Sequence, residues 1–506
     1  MSTTARRVLL RGGTLIDGTG APPKSGDLLI SGDMIEAIGT FDPPGDARLI
    51  DCDGMVVCPG FIDAHSHSDL QVLSERTEKL RQGVTAEVVG NCGFSAYPMT
   101  QDGRELREFA NGIFCGDDTW GWHTASEYLA EVQRSAKHAT VGSLVGHGSL
   151  RIAVVGNKMG PLSSMEIDRM EGMLDEALSQ GAVGFSTGLM YAPGSSAPFD
   201  ELERLCRVVS RRGKIYSTHI RDYSFHLGEA IDEQLELAGR TGCRLQISHL
   251  HCTGRMNWPR QHQVIEKIEA AREQGIDVAF DCYPYVAGST VLTQLLPQDA
   301  LEGGIEALMK RLSDASERRM IAKRTVEKLA HRWSDIVISA VSSAANKHLI
   351  GLNLEQAARE RGEEPIDAMI NLLREECGEV NMISFNQSEE NLREILVHPL
   401  SIVISDGFYV KGRPHPRLYG TFPRLLGTIS RENKWMQLEE AVHKITGKPA
   451  ERFQFARRGL LHSSYFADVV VFDPRVVDSP ATYDNPEAPP AGISMVFRNG
   501  QIDRPQ

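Results

Sequence analysis

The sequence predicts a (β/α)8 barrel, an α/β fold of the TIM type, joined to a small β domain built from both ends of the chain. In the middle of the chain, short apolar runs alternate with amphipathic segments about eight times, which is typical of a parallel barrel. Glycine-punctuated apolar runs occupy both ends. Histidine, cysteine or aspartate follows several of the central runs, where active sites collect in parallel α/β folds.

Residues 1–57 are predicted to form the first part of the β domain. The apolar runs there are short and are broken by Gly12-Gly13 and Asp17-Gly18, which is the punctuation of β-hairpins. Strand-like runs return near the other end of the chain, at residues 467–474 and 495–500. We therefore expect residues 416–506 to return to the β domain and complete it.

Residues 58–415 are predicted to form the barrel. Amphipathic segments separate its strands, as in residues 164–180, where apolar residues recur with helical period. Ser163 and Glu166 have the spacing of a capping box at the start of that helix. Strand-helix alternation repeated this often favours a closed barrel over an open sheet. The candidate strands are residues 56–62, 86–89, 140–145, 183–186, 215–219, 245–249, 278–281 and 402–406.

A charged segment interrupts the alternation, and we predict a helical insertion near residues 291–345. Residues 297–333 have helical periodicity, with Arg, Lys and Glu spread around the helix. Two interpretations are open. The segment is either a solvated pair of helices or a cover over the barrel mouth that shapes the substrate pocket.

Composition limits the cellular compartment and the class of binding partner that we expect. The formal net charge of -13 argues against nucleic acid or an anionic membrane, because both are bound by clustered Lys and Arg. No apolar run approaches the ~18 residues of a membrane span. The nine cysteines do not resemble a disulfide framework, and the N-terminus lacks the apolar core of a signal peptide. We expect a cytoplasmic protein that acts on a small molecule, and a homo-oligomer is left open.

Metal-binding side chains follow the ends of the candidate strands. His65 and His67 are two residues apart, so both project to the same side of an extended chain. A lone histidine is more often a core residue, but six ligand-type side chains at the same end of successive strands indicate a metal centre. Imidazole together with thiolate favours zinc. The full set is His65, His67, Cys92, His219, His249 and Asp406.

This set of ligands predicts a hydrolase. A zinc ion with an open coordination position lowers the pKa of bound water to about 7 and polarises a carbonyl, which suits hydrolysis of an amide or ester. Asp406 is the carboxylate expected to take the proton from that water and deliver it to the leaving nitrogen. We therefore predict Asp406 as the general acid and base.

The sequence resembles the amidohydrolase superfamily and, more narrowly, the D-aminoacylases (N-acyl-D-amino-acid deacylases). The first matching segment is shared across the superfamily, whereas the cysteine turn and the two long glycine-bearing segments are narrower signatures. The segments span the chain and are Pro59-Gly-Phe-Ile-Asp-Ala-His-Ser-His67, Gly90-Asn-Cys-Gly93, Gly184-Phe-Ser-Thr-Gly-Leu-Met-Tyr-Ala-Pro-Gly194, Ser217-Thr-His219, Gln246-Ile-Ser-His249, Tyr283-Pro-Tyr-Val-Ala-Gly-Ser289 and His415-Pro-Arg-Leu-Tyr-Gly-Thr-Phe-Pro-Arg424.

The resemblance implies a barrel capped by a β-sandwich that both termini form. It also implies a Zn²⁺ ion held tightly by Cys92, His219 and His249. His65 and His67 would form a second, weaker metal position, and whether one or two ions are bound stays open.

The resemblance further implies roles for residues around the metal. Asp406 would be the acid-base residue, as the chemistry of the ligands also indicated. Tyr191 and Ser289 fall in segments similar to substrate-facing loops of the family, which implies that they bind substrate. Packing and capping are the alternative interpretation for both residues.

One position departs from the family pattern. The family usually has a lysine two or three residues after the sixth-strand histidine, taken to hold the carboxylate of the D-amino acid, whereas this chain has His251. Imidazole is neutral over much of the physiological pH range and lysine is not. We expect His251 to contact substrate without necessarily binding a carboxylate. Arg221 or Arg424 are alternative anion partners, and each also reads as a surface or structural arginine.

Three functions are therefore considered. The first is zinc-dependent hydrolysis of the amide bond of a small N-acylated compound, most simply an N-acyl-D-amino acid. The second keeps the site but changes the bond to a cyclic amide, a carbamate or a dipeptide-like amide that lacks the usual α-carboxylate. The third is a non-catalytic scaffold, which the retention of every ligand type and of Asp406 disfavours.

Overall fold

The computed structural model describes residues 7–100, 103–115, 120–136 and 138–503. Its centre is an eight-stranded sheet in which each strand pairs in parallel with the next one along the chain. This arrangement confirms the predicted (β/α)8 barrel. Barrel strands 1 to 8, in chain order, are Phe61–Asp63, Val84–Val89, Thr140–Gly146, Gly184–Gly188, Ile215–His219, Arg244–Ile247, Val278–Cys282 and Ser401–Val403.

The barrel closes beside the candidate metal ligands. A parallel bridge joins Ser66, just after barrel strand 1, to Gly407, just after barrel strand 8. The Asp406 N–H donates to the His65 carbonyl (2.9 Å), and the His67 N–H donates to the Gly407 carbonyl (3.0 Å). Closure of the barrel thus fixes the backbone of three residues that the sequence placed in the site.

The strand predicted over residues 56–62 is divided between two sheets. Val56–Pro59 pairs with strands of the β domain, whereas Phe61–Asp63 pairs with barrel strand 2. The change occurs at Gly60, where an added Cβ would lie 2.2 Å from Thr85 Oγ1. The prediction of a single strand was wrong because an apolar run does not reveal which sheet each of its residues joins.

Helices connect and surround the barrel strands. The helix predicted over residues 164–180 spans Ser164–Ser179 and begins with the predicted capping box of Ser163 and Glu166. A π-helix, Leu425–Glu432, continues directly from an α-helix. In the described part of the chain, no helix combines the length and the apolar character that a bilayer crossing requires. The α-helices are Glu78–Arg81, Arg104–Ala110, Ala125–Ser135, His147–Val155, Ser164–Ser179, Phe199–Arg211, Leu227–Thr241, Gln261–Glu273, Gly304–Ser313, Ala315–Lys328, Leu354–Arg361, Pro365–Glu375, Glu389–Val397, Arg417–Arg424, Leu438–Lys444 and Gly447–Arg452.

Both ends of the chain form the β domain, as predicted. Val469–Phe472 pairs antiparallel with Val56–Pro59 and thereby joins the C-terminal strands to the N-terminal ones. The domain has a small core of its own that includes Leu10, Val57 and Phe497. The strands are Arg7–Leu15, Lys24–Ser31, Met34–Gly39, Arg48–Asp51, Val56–Pro59, Val469–Phe472, Ile493–Arg498 and Gln501–Asp503.

The chain between barrel strands 7 and 8 contains a small unit of mixed structure. The helices Gly304–Ser313 and Ala315–Lys328 lie where the sequence indicated a helical insertion. The unit also contains an antiparallel sheet in which Val380–Phe385 lies between Ala287–Val291 and Ile336–Val341. This sheet was not anticipated, because its strands pair across long stretches of sequence. The domain boundaries given above stay a prediction.

Candidate metal centre and active site

The candidate ligands form two groups that share His65. Cys92 Sγ lies 3.3 Å from His65 Nε2 and 3.4 Å from His249 Nε2. Asp406 Oδ1 lies 3.4 Å from His65 Nε2 and 3.3 Å from His67 Nε2. Within each group the three ligand atoms lie within 4.8 Å of one another, and all the side chains are buried. Barrel strands that are distant in sequence thus bring a thiol, imidazoles and a carboxylate together.

His219 joins the cluster through His249. His219 Nδ1 lies 3.0 Å from His249 Nε2, and the centroids of the two rings are 4.7 Å apart. The three residues that the resemblance implied for the tight position, Cys92, His219 and His249, therefore meet around His249 Nε2. His65, which the resemblance implied for the weaker position, contacts the same thiol.

This set of donors fits a zinc ion. Zn–N and Zn–S bonds of about 2.0–2.3 Å in tetrahedral geometry place neighbouring ligand atoms about 3.3–3.6 Å apart. The contacts of Cys92 Sγ with the two imidazoles, 3.3 and 3.4 Å, match that spacing. Buried polar atoms normally have a hydrogen-bond partner, yet His219 Nε2 is buried and has none among the described residues.

Three of the candidate site residues have left-handed backbone conformations. The φ angles are +53° for Cys92, +33° for His249 and +49° for Asp406. Residues other than glycine seldom adopt such angles, and each instance costs about 1–3 kcal/mol. The rest of the fold must therefore hold these residues in place, which is typical of positions that serve a site rather than the stability of the chain.

Asp281, which the sequence analysis did not select, holds two of the histidines. Its Oδ1 accepts the His249 backbone N–H (2.7 Å) and lies 3.4 Å from His65 Nδ1. Its Oδ2 accepts from Gln246 Nε2 (2.8 Å). A carboxylate beside Nδ1 favours the tautomer that leaves Nε2 free as a ligand. Its position at the end of a predicted strand, like the ligands, was a signal that could have identified it.

Asp406 pairs with Arg417, a second residue that the sequence analysis missed. Arg417 Nη1 lies 2.7 Å from Asp406 Oδ2, and the guanidinium lies over the Tyr283 ring, 4.6 Å from its centroid. Burial alone would raise the pKa of Asp406, but the positive charge of Arg417 and the nearby imidazoles hold it well below its usual range. Asp406 is therefore ionised at neutral pH, as a general base must be. Membership of the segment that ends at Arg424 was the one sequence signal for Arg417.

A cavity of about 420 Å³ opens onto the cluster, a size that suits a small molecule. Tyr191 Oη lies 3.0 Å from Thr290 Oγ1, and Ser289 Oγ donates to the Met382 carbonyl (2.8 Å). The residues predicted to contact substrate all line this cavity, and they are Tyr191, His251 and Ser289.

The two arginines considered as anion partners are engaged elsewhere. Arg221 lines the cavity, but its Nε lies 2.8 Å from a Glu233 carboxylate oxygen and its other nitrogens donate to backbone carbonyls. Arg424 donates through Nε to the Pro284 carbonyl (2.9 Å). His251 is neutral, because burial lowers its pKa to about 4. Arg417 contacts Asp406 and also lines the cavity.

The barrel, its β domain and the ligand cluster together define a metal-dependent amidohydrolase. The amidohydrolase family profile matches residues 48–502, and the chain belongs to this family. D-aminoacylase of Alcaligenes xylosoxydans xylosoxydans is 35% identical over 495 residues, which are 97% of this chain and 93% of that protein. N-acyl-D-glutamate deacylase of the same organism is 35% identical over 501 residues, 99% of this chain and 94% of that protein.

A solved structure supports the same relationship. The crystal structure of N-acyl-D-glutamate deacylase from Bordetella bronchiseptica, complexed with zinc and a phosphonate inhibitor, matches with a TM-score of 0.85 at 35% identity. The match covers 99% of this chain and 96% of that one. These comparisons confirm the resemblance to D-aminoacylases.

Proposed function

We propose that this protein is a zinc-dependent hydrolase that cleaves the amide bond of an N-acyl-D-amino acid into a carboxylate and the free D-amino acid. The similar proteins are named D-aminoacylase, N-acyl-D-glutamate deacylase and N-acyl-D-aspartate deacylase, and these names describe hydrolysis of N-acyl-D-amino acids. The observation that carries the proposal is the contact of one buried thiol with two imidazoles, next to Asp406 and open to a cavity.

We assign the tightly bound ion to Cys92, His219 and His249, and a weaker position to His65 and His67. The two overlapping ligand groups support two neighbouring positions. A D-aminoacylase structure that matches with a TM-score of 0.84 is described as binuclear, with one-metal activation and second-metal attenuation. When bound, zinc supplies an acidified water and a polarised carbonyl.

Asp406 is the general base and then the general acid. Its Oδ1 faces His65 and His67, and its Oδ2 faces Arg417. Because the carboxylate is held ionised, it accepts the proton of the attacking water. It then gives that proton to the amide nitrogen, since an amine does not leave as an anion.

Arg417 and Tyr283 hold the α-carboxylate of the substrate. Arg417 is buried, and its Nε has no hydrogen-bond partner among the described residues. Both side chains line the cavity next to Asp406, and arginine binds carboxylates through charge-assisted hydrogen bonds. Recognition of the carboxylate therefore does not depend on residue 251, the position of the family lysine.

Tyr191 fixes the scissile carbonyl on the other side of the cluster. Its ring centroid lies 4.9 Å from that of His219. Its hydroxyl is held near Thr290, at 3.0 Å. Ser289 shapes the cavity through its backbone, because its hydroxyl donates to Met382 and its carbonyl accepts from Arg417 Nη2 (3.1 Å).

A second candidate, hydrolysis of a cyclic amide or carbamate that has no α-carboxylate, follows if Arg417 serves Asp406 alone, because burial lowers the pKa of His251 to about 4 and His251 then offers no positive charge in its place. We also place the protein in the cytoplasm, which the nine free cysteines support, because free thiols persist in a reducing compartment.

Hydrolysis assays with the zinc-loaded protein distinguish these functions. N-acetyl-D-methionine and N-acetyl-L-methionine are compared with hydantoin and dihydrouracil. Faster hydrolysis of the D-amino acid derivative than of all the others is expected. Turnover of the cyclic amides alone would replace the first function with the second, and turnover of none would contradict both.

A further inference from the structure

The strand Ala287–Val291 borders two unlike halves of the cavity. Its Thr290 end lies beside Tyr191. Its Gly288 end lies beside Tyr283 and Asn386, because a Cβ added to Gly288 would lie 3.0 Å from Tyr283 Oη and 3.4 Å from Asn386 Nδ2. At about 3.3 Å per residue, the ends of the strand are far enough apart to contact different parts of one substrate.

The half near Val291 is apolar. Phe94 and Ile113 pack with Cys92, and Tyr191 and Val291 pack against them. Phe94, Ile113 and Tyr191 also line the cavity. Since this half is apolar and includes Cys92, it suits the acyl group of the substrate.

The half near Gly288 contains unused hydrogen-bonding atoms. Ser384 lies opposite Gly288 in the sheet and is 5% exposed, and Asn386 is 8% exposed. Ser384 Oγ, Asn386 Oδ1 and His331 Nδ1 are buried and have no hydrogen-bond partner among the described residues. All three side chains line the cavity. Buried polar atoms normally have hydrogen-bond partners. A polar group of a bound substrate would supply the partners that these three atoms lack.

His251 belongs to the same half. Its Nδ1 donates to the His249 carbonyl (2.5 Å), and its side chain lines the cavity. The Gly254 N–H donates to the Asn386 carbonyl (3.2 Å), and a Cβ on Gly254 would lie 2.6 Å from the Ala330 carbonyl oxygen. The chain segments that carry these side chains are therefore neighbours. We call His251, His331, Ser384 and Asn386 the polar wall.

The polar wall has no carboxylate, lysine or arginine, and its hydroxyl and amide do not ionise. Lys328 also lines the cavity, but it is exposed at the end of its helix. A carboxylate against the wall would lose water without gaining a buried cation. An apolar group there would leave the polar atoms unpaired.

We propose that the polar wall selects a substrate whose amino-acid side chain is neutral and forms hydrogen bonds, such as the carboxamide of an N-acyl-D-glutamine. This inference rests on the proposed function and names its substrate class. Arg417 and Tyr283 hold the α-carboxylate at the Gly288 end of the strand, so the side chain on the same carbon atom reaches the wall. A carboxamide both donates and accepts, as the atoms of the wall require.

The test compares three substrates of nearly equal size with the zinc-loaded, full-length protein. They are N-acetyl-D-glutamine, N-acetyl-D-glutamate and N-acetyl-D-norleucine. We expect kcat/KM for the glutamine derivative to exceed each of the others at least tenfold. A preference for glutamate or norleucine would overturn this inference alone, whereas no turnover of any of the three would overturn the proposed function and this inference with it.

Two variants locate the preference. Ser384→Ala and Asn386→Leu should each lower kcat/KM for N-acetyl-D-glutamine about tenfold relative to N-acetyl-D-norleucine. Ser339→Ala is the matched control, because Ser339 Oγ is also buried and unpaired among the described residues but lies on the strand Ile336–Val341 and does not line the cavity. Equal losses on both substrates in the two wall variants, or the same shift in the control, would overturn the assignment.

Discussion

Replacing Arg417 with methionine separates two roles of this side chain. Arg417 pairs with Asp406 at 2.7 Å, and we propose that it binds the α-carboxylate. Loss of the pair with Asp406 affects every substrate, whereas loss of the carboxylate contact affects only substrates that have a carboxylate. Methionine resembles the unbranched aliphatic part of the arginine side chain but lacks its positive charge. Arg417 is 1% exposed, so bulk water does not replace the guanidinium.

The expected magnitude follows from that burial. Removing the arginine that would pair with the buried carboxylate of the substrate costs roughly 2–5 kcal/mol, which corresponds to a loss of about 30-fold to several thousand-fold. The pKa of Asp406 also responds, because burial raises it and the positive charge of Arg417 lowers it. Without Arg417 the pKa rises, so the ionised base is lost at a higher pH and the acid limb of the activity profile moves upward.

The assay is kcat/KM against pH for N-acetyl-D-methionine and for N-acetyl-3-(methylthio)propylamine, which lacks only the carboxylate. The wild-type protein should prefer the first, and Arg417→Met should lose most of that preference. Arg221→Met is the control, because Arg221 lines the cavity but pairs with Glu233; it should keep the preference. A preference that survives in Arg417→Met would refute the carboxylate role, and an unmoved acid limb would refute the coupling to Asp406.

Three further substitutions test the other roles. Asp406→Asn should lower kcat about 10²–10⁴-fold, the usual contribution of general acid-base catalysis, while Cys92 still binds zinc; a loss below tenfold would exclude Asp406 as the acid-base residue. Cys92→Ala should remove tightly bound zinc and activity together, as elemental analysis and amide hydrolysis would measure, and full zinc occupancy would contradict the assignment of the thiol. His251→Lys adds a cation to the polar wall and should change the preference toward acidic side chains more than it lowers turnover. Equal loss on all amides, or no change on any, would count against a role of His251 in specificity.

The barrel could be predicted because its strands are buried on both sides and therefore read as continuous apolar runs. Each of the eight candidate strands overlaps a barrel strand. The ligand-type side chains were recognisable because parallel strands end at the same edge, so residues such as Cys92 and His249 meet although they are far apart in sequence.

The positions that the sequence did not reveal depend on tertiary contacts. Arg417 begins the helix that follows barrel strand 8, and only the folded chain shows that its guanidinium lies beside Asp406. Gly60 separates two sheets through its close contact with Thr85, which an apolar pattern does not report. Ser384 and Asn386 are single polar residues whose importance comes from unpaired buried atoms, a property that only the folded chain has.

X-ray absorption at the zinc edge of the purified, zinc-loaded protein tests the metal centre most directly. We predict one sulfur neighbour at about 2.3 Å and nitrogen or oxygen neighbours at about 2.0–2.1 Å. The sulfur contribution should come from Cys92 and disappear in Cys92→Ala. A wild-type spectrum with nitrogen and oxygen neighbours alone would contradict a zinc ion held by the buried thiol and the imidazoles around it.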